Sequence, residues 1–168
     1  MNKKNFKFYI LCILLILLDQ ISKFLVRKNF SLYQTKQITS FLALTYITNT
    51  GIVFGFFEGF NLFFSIIIVV VLIVLLFSIK SIKNDLGENL GSFVISLIFC
   101  GGIGNLIDRI FLGKVVDFID LQFNYKNIWP VFNFADSYVF VGVWLMVIKY
   151  FLNIINKLKG KHRCFQFF

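Results

Sequence analysis

The chain has 168 residues, 58% of them hydrophobic and only 15% charged, with a net charge of +9 and a mean hydropathy of +0.83. Soluble domains carry about 25% charged residues, so this composition excludes an ordinary soluble domain and fits a single membrane domain over 1–168. The positive charge excludes a nucleic-acid surface by its placement. Lys3, Lys4 and Lys7 precede the first apolar run, Lys80 and Lys83 follow the second, and Lys157, Lys159, Lys161 and Arg163 follow the last. Basic flanks of this kind mark the cytoplasmic ends of membrane spans and favour anionic headgroups.

The first apolar segment, about 8–26, reads "FYILCILLILLDQISKFLV". Its basic start resembles a signal peptide, but "DQISKFLV" follows where a small-x-small cleavage site would stand, so it is read as a retained span. Asp19 and Lys23 lie four residues apart and share a helix face. Pairing is the least costly way to keep such charges in a span, so their expected role is structural, as an orienting ion pair.

The connection of about 27–59 is too long for a turn. Residues 38–57, "ITSFLALTYITNTGIVFGFF", are rich in Thr, Ile, Phe and Tyr, which favours a small β-element on the membrane surface. Gly51 and Gly55 mark turns or close approach, and Phe56 and Phe57 are expected to dip into the interface. Asn49 fits either a turn or an amide aimed at a substrate backbone.

The second span, about 60–79, carries no charge. The third, about 89–110, contains "GGIGNLIDR". Gly101, Gly102 and Gly104 give a small face for close helix packing rather than a phosphate loop, since no strand-turn-helix context surrounds them. Asp108 and Arg109 are adjacent and point apart; Arg109 is expected to reach a carboxylate elsewhere or the external headgroups. The fourth span is about 135–155. About 20 apolar residues cross a bilayer core as a helix. The expected fold is therefore an all-α membrane protein of four transmembrane helices, with a small extracytoplasmic β-element between helices 1 and 2. Four spans put both termini on one side, and the basic ends make that side cytoplasmic.

Two connections then lie outside, and the second carries acids. Asp117 falls just beyond span three in "VVDFID", and Asp136 opens span four in "FNFADS". The intervening chain can fold back, so the two carboxyls can meet. Asp136 also suits a helix cap, Asn133 stands one turn before it, and Asp120 is a possible decoy. Two carboxyls sharing one proton hydrolyse a peptide bond without metal or covalent intermediate: one acid takes a proton from water while the other polarises the carbonyl. Competing chemistries are weaker here. His162 is the only histidine, which argues against a zinc protease and a Ser-His-Asp catalyst. Ser22 and Lys23 diverge on their helix. Cys12, Cys100 and Cys164 form neither a disulfide framework nor a metal spacing, so neither a metal nor another cofactor is expected. On residues alone, an acid-dependent enzyme, a proton or ion conduit and a structural subunit all stay open. The near absence of polar residues through span two favours the enzyme over the conduit.

Taken in order, "LDQISK", "NTGIVFG", "GGIGNLIDR", "VVDFID" and "FNFADS" resemble the motif set of the lipoprotein signal peptidases, from about residue 18 to 142. The resemblance implies an aspartyl endopeptidase of the bacterial inner membrane, with its active site at the extracytoplasmic face. Its partner would be a prolipoprotein signal peptide in the lipid bilayer, cut on the amino side of a diacylglyceryl-cysteine. It implies Asp117 and Asp136 as the catalytic pair, and Asn49, Gly51, Asn105, Arg109 and Asn133 as residues that support substrate or pair. Asp19, Lys23 and Asp108 match further motif positions of structural character. One departure is Ile52 and Val53, where the family often has small Ala residues.

Overall fold

The computed structural model describes residues 3–51 and 60–164, with side-chain surroundings for 8–51 and 60–158. The expectations for Ile52, Val53, Gly55, Phe56 and Phe57, and for the outermost basic side chains, lie outside the described residues.

Four helices are long and apolar enough to cross a membrane. They are α1 (Lys3–Asn29), α2 (Asn61–Leu86), α3 (Glu88–Leu112) and α4 (Phe134–Cys164). Half of the most apolar stretch of α3 is buried, against 11–17% in the others, which makes α3 the central helix. It packs on α1, α2 and α4, while Leu14, Leu17, Val70, Val74 and Phe140 point outward as a lipid-facing surface. Each helix satisfies its own backbone, as hydrocarbon demands.

Helices surrounded by lipid gain little from burying apolar side chains, so close approach must hold them together. The glycines of α3 provide it, as their sequence suggests. A Cβ on Gly101 would fall on the Ala135 carbonyl oxygen of α4 and 2.7 Å from a Val139 methyl. One on Gly102 would meet Leu72 of α2, and one on Gly104 would meet Asp19 of α1. The backbone oxygen at Gly101 cannot yield as the Leu72 side chain can. Gly101→Ala is therefore expected to lose about 1–3 kcal/mol of stability, and Gly102→Ala less. Thermal unfolding in detergent checks this; equal melting of the two variants would refute the ranking.

The expected inner connection over 80–88 contracts to one residue. Polar side chains beyond the hydrocarbon do not end a helix, so α2 runs on to Leu86 and α3 starts at Glu88. Gly87 makes the corner at φ +89°, a conformation that side chains with a Cβ rarely adopt, and its N–H caps the Lys83 carbonyl.

The β-element is larger than the sequence suggests and draws on two connections, the one between α1 and α2 and the one between α3 and α4. Strands β1 (Thr35–Gln37), β2 (Leu42–Asn49), β3 (Val115–Phe123) and β4 (Lys126–Asn127) form an antiparallel sheet in the order β1-β2-β3-β4. Half of the sheet thus comes from the connection between α3 and α4. The register shifts between Leu44, opposite Ile119, and Ile47, opposite Asp117, so β2 carries a bulge there. Val116 and Phe118 anchor the sheet on Val26 near the C-terminal end of α1. The chain then returns along β3, where Phe132 accepts from the N–H groups of Phe118 and Ile119 and donates to the Ile119 carbonyl.

Candidate active site

That return strand sets the chemistry, because it delivers Asn133 beside Asp117 at the mouth of α4. Asn133 is fully buried, and its side-chain amide donates to Asp117 Oδ1 at 2.7 Å. The same residue caps α4. Its Oδ1 accepts from the Asp136 N–H at 2.9 Å, while its own N–H donates to Asp136 Oδ2 at 3.1 Å. This is the reciprocal geometry of a capping box, built from Asn and Asp. One asparagine therefore touches both acids, one held by a strand and the other by a helix N-terminus. The helix-cap role foreseen for Asp136 and its proximity to Asp117 are the same arrangement.

Asn105 completes the frame from α3. Its Nδ2 donates to Asp136 Oδ1 at 2.7 Å, and its Oδ1 accepts from Asn133 Nδ2 at 3.1 Å and from Lys23 Nζ at 2.9 Å. An ammonium only donates, so the amide can face only one way. Asn49 closes the far side of Asp117. It donates to Asp117 Oδ2 at 3.4 Å and accepts the Gly51 N–H at 2.9 Å, so turn and acid contact are one feature.

Below the acids lies a buried charge cluster. Lys23 pairs with Asp19 at 2.9 Å and with Asp108 at 3.2 Å. Asp19 also accepts the Ala135 N–H at the start of α4, and Asp108 accepts the Val116 N–H of β3. Gln20 donates to both carboxylates and to the Gly104 carbonyl. The cluster thus ties α1, α3, α4 and β3 together, with more partners than a pair within one helix.

Among the described residues, the partners of Arg109 are not carboxylates. Its amines donate to the Gly51 carbonyl at 2.9 Å and to Asn61 Oδ1 at 3.1 Å, and its charge lies over the Phe64 ring. Asp120 stands apart from the acid pair. It is buried and accepts from Thr45 and Gln122.

Asp117 is 3% exposed. Burial first, and the nearby Asp136 charge second, push its carboxyl from the ordinary 3.8 up to about 7, against the hydrogen bonds from Asn133 and Asn49 and the charge of Lys23. Among the described residues, no group of three or more His, Cys, Asp or Glu side chains is placed to hold a metal ion.

Comparison with known proteins decides the family. Residues 11–152 match the family described as Signal peptidase (SPase) II. The chain belongs to the signal peptidase II family. It is 35% identical to the lipoprotein signal peptidase of Syntrophus aciditrophicus (strain SB), over 96% of this chain and 99% of that one. It is 40% identical to that of Thermodesulfovibrio yellowstonii (strain ATCC 51303 / DSM 11347 / YP87), over 89% and 97%. A bacterial membrane enzyme solved by the in meso method superposes with a TM-score of 0.80 at 32% identity, covering 90% of this chain and 91% of that one. This signal peptidase II family member is a multi-pass membrane protein with four apolar helices, consistent with the bacterial inner membrane. Sequence reasoning missed Asn61 and Gln20. Gln20 was visible inside "LDQISK", whereas Asn61 belongs to none of the motifs.

Proposed function

We propose that the chain is an aspartyl endopeptidase that removes the signal peptide from lipid-modified prolipoproteins, cutting on the amino side of the diacylglyceryl-cysteine. The observation that carries this reading is the single Asn133 hydrogen-bonded to both Asp117 and Asp136. One acid ionised and one protonated supply the base for water and the acid for the carbonyl and leaving amine. Asn49, Asn105 and Asn133 hold the pair, and Arg109 and Gly51 shape its approach. Both termini are cytoplasmic and the pair faces outward, as the basic ends and the lysines at the C-terminal end of α2 support. The scissile bond lies at the same depth, where a lipid-modified cysteine meets the headgroups. With no metal in the scheme, chelators should leave the rate unchanged.

The test is purified protein with a lipid-modified precursor and its unmodified counterpart. Mass spectrometry should find a product that begins at the lipidated cysteine, and only from the modified form. A cut elsewhere, or equal cutting of the unmodified chain, would sink the proposal.

The position of Asp117 adds a pH dependence. With Asp117 taken as the holder of the shared proton, that proton is lost as pH rises through about 7, so kcat/KM should fall on the alkaline side there. The folded chain binds this proton more tightly than the unfolded chain, so the contribution of Asp117 to stability is full below 3.8 and is lost between 3.8 and about 7. Asp117→Asn should remove that part of the slope of Tm against pH; an unchanged slope would refute the assignment.

A further inference from the structure

We propose that Asn61 is a positioning residue for the acid pair: it aims the Arg109 guanidinium at the Gly51 carbonyl and so fixes the turn that holds Asn49 against Asp117. This rests on the reading of Asp117 and Asp136 as the catalytic pair.

Asn61 opens α2, whose next eighteen residues offer no charged side chain. An Asn at a helix start would ordinarily cap its own helix. Here Phe60 occupies the cap position, and its side chain makes no capping hydrogen bond. The Asn61 amide instead crosses to α3 with both of its ends. Oδ1 accepts from Arg109 Nη1 at 3.1 Å, and Nδ2 donates to the Arg109 carbonyl at 3.2 Å. One turn on, the buried Phe64 ring lies 5.5 Å from the guanidinium carbon. A guanidinium is a rigid planar fork, so holding one amine and one face fixes where the other amine points. Arg109 Nη2 points at the Gly51 carbonyl, at 2.9 Å.

Gly51 is then held at both polar groups, since its N–H donates to Asn49 Oδ1. The bond from Asn49 to Asp117 is long, at 3.4 Å, so a small shift of this turn makes or breaks it. The charged groups that face Asp117 are Asp136 from α4, Lys23 from α1 and Arg109 from α3. Among the described residues α2 adds no charge there, only the Asn61 amide.

The experiment compares Asn61→Ala, Asn61→Asp and Asn153→Ala in the purified full chain with the lipid-modified precursor. Asn153 bonds the Asp85 carbonyl at the opposite end of α2, so its loss reports helix anchoring alone. Asn61→Ala should lower kcat roughly 10–100-fold, with KM within about threefold. Its alkaline limb should move to higher pH, because the Asn49 bond that favours ionised Asp117 is lost. Asn61→Asp keeps an acceptor for Arg109 and should return kcat to within about threefold of the parent. Asn153→Ala should change neither kcat nor the limb. Hydrogen exchange of the segment 42–51 should quicken in Asn61→Ala and not in Asn153→Ala. Parental kcat with an unshifted limb in Asn61→Ala, or unchanged exchange at 42–51, overturns the proposal. Failure of the parent protein to cut the precursor would remove the reading of the acid pair, and the exchange measurement would still decide whether Asn61 fixes the turn.

Discussion

Asp117→Asn and Asp136→Asn are each expected to lose roughly 1,000- to 10,000-fold in cleavage of a lipid-modified precursor, the scale of positioned acid–base catalysis. An amide neither takes a proton from water nor donates one as an acid does. The two variants should differ in stability, and the hydrogen bonds say how. Asp117 accepts one short bond, from Asn133, and one long bond, from Asn49, so an amide can keep the short one. Asp136 accepts at both oxygens, from Asn105 and from the Asn133 N–H. An amide there must turn its NH2 toward a donor, which costs about 1–3 kcal/mol and weakens the cap of α4. Asp120→Asn is the control. That acid bonds Thr45 and Gln122, away from the pair, so the variant should cut at nearly the parental rate. Substantial cleavage by Asp117→Asn or Asp136→Asn, or a large loss in Asp120→Asn, would show that the pair is misassigned.

Lys23→Met should destabilise the protein by about 3–5 kcal/mol, the cost of leaving buried charge uncompensated. Lys23 is 2% exposed, and its ammonium is the cation between Asp19 and Asp108, which are 0% and 2% exposed. Methionine fills the space but leaves two carboxylates facing each other in a dry interior. It also strips Asn105 Oδ1 of one of its two donors, which loosens the amide that holds Asp136. Adding Asp19→Asn to Lys23→Met should recover part of the loss, since one of the stranded charges goes with it. Thermal unfolding in detergent reads both variants. A single variant that melts with the parent, or a double variant less stable than the single, would contradict this account.

The helices were legible because the bilayer imposes a length and a composition that a chain cannot disguise. Gly101 and Gly104 were legible as a packing face because lipid-embedded helices need small residues to approach. Asp117 and Asp136 stood out because acids beside apolar spans demand a reason. Less was visible where the cause is tertiary. "VVDFIDLQF" alternates weakly, and its two acids hid a strand that is buried for most of its length. Nothing local shows that β3 pairs with β2, although that pairing puts Asn49 within reach of Asp117. The double contact of Asn133 depends on the return of Phe132 along β3, a meeting no spacing rule gives. The described partners of Arg109 were hidden for a related reason. Charge suggested a carboxylate or the headgroups, but a guanidinium also binds a carbonyl, an amide and a ring face.

The acid on β3 and the acid on α4 share Asn133, and Ala135 beside them is tied back to Asp19 on α1. Synthesis makes these parts in order, and the last comes only with the fourth helix. A nascent chain that ends before residue 133 already holds Asp117 but has neither the bridge nor the second carboxyl. On the proposed reading of the pair, proteolytic competence is deferred until the final helix is threaded into the bilayer against the first, and an enzyme still being made has no finished blade to turn on its neighbours.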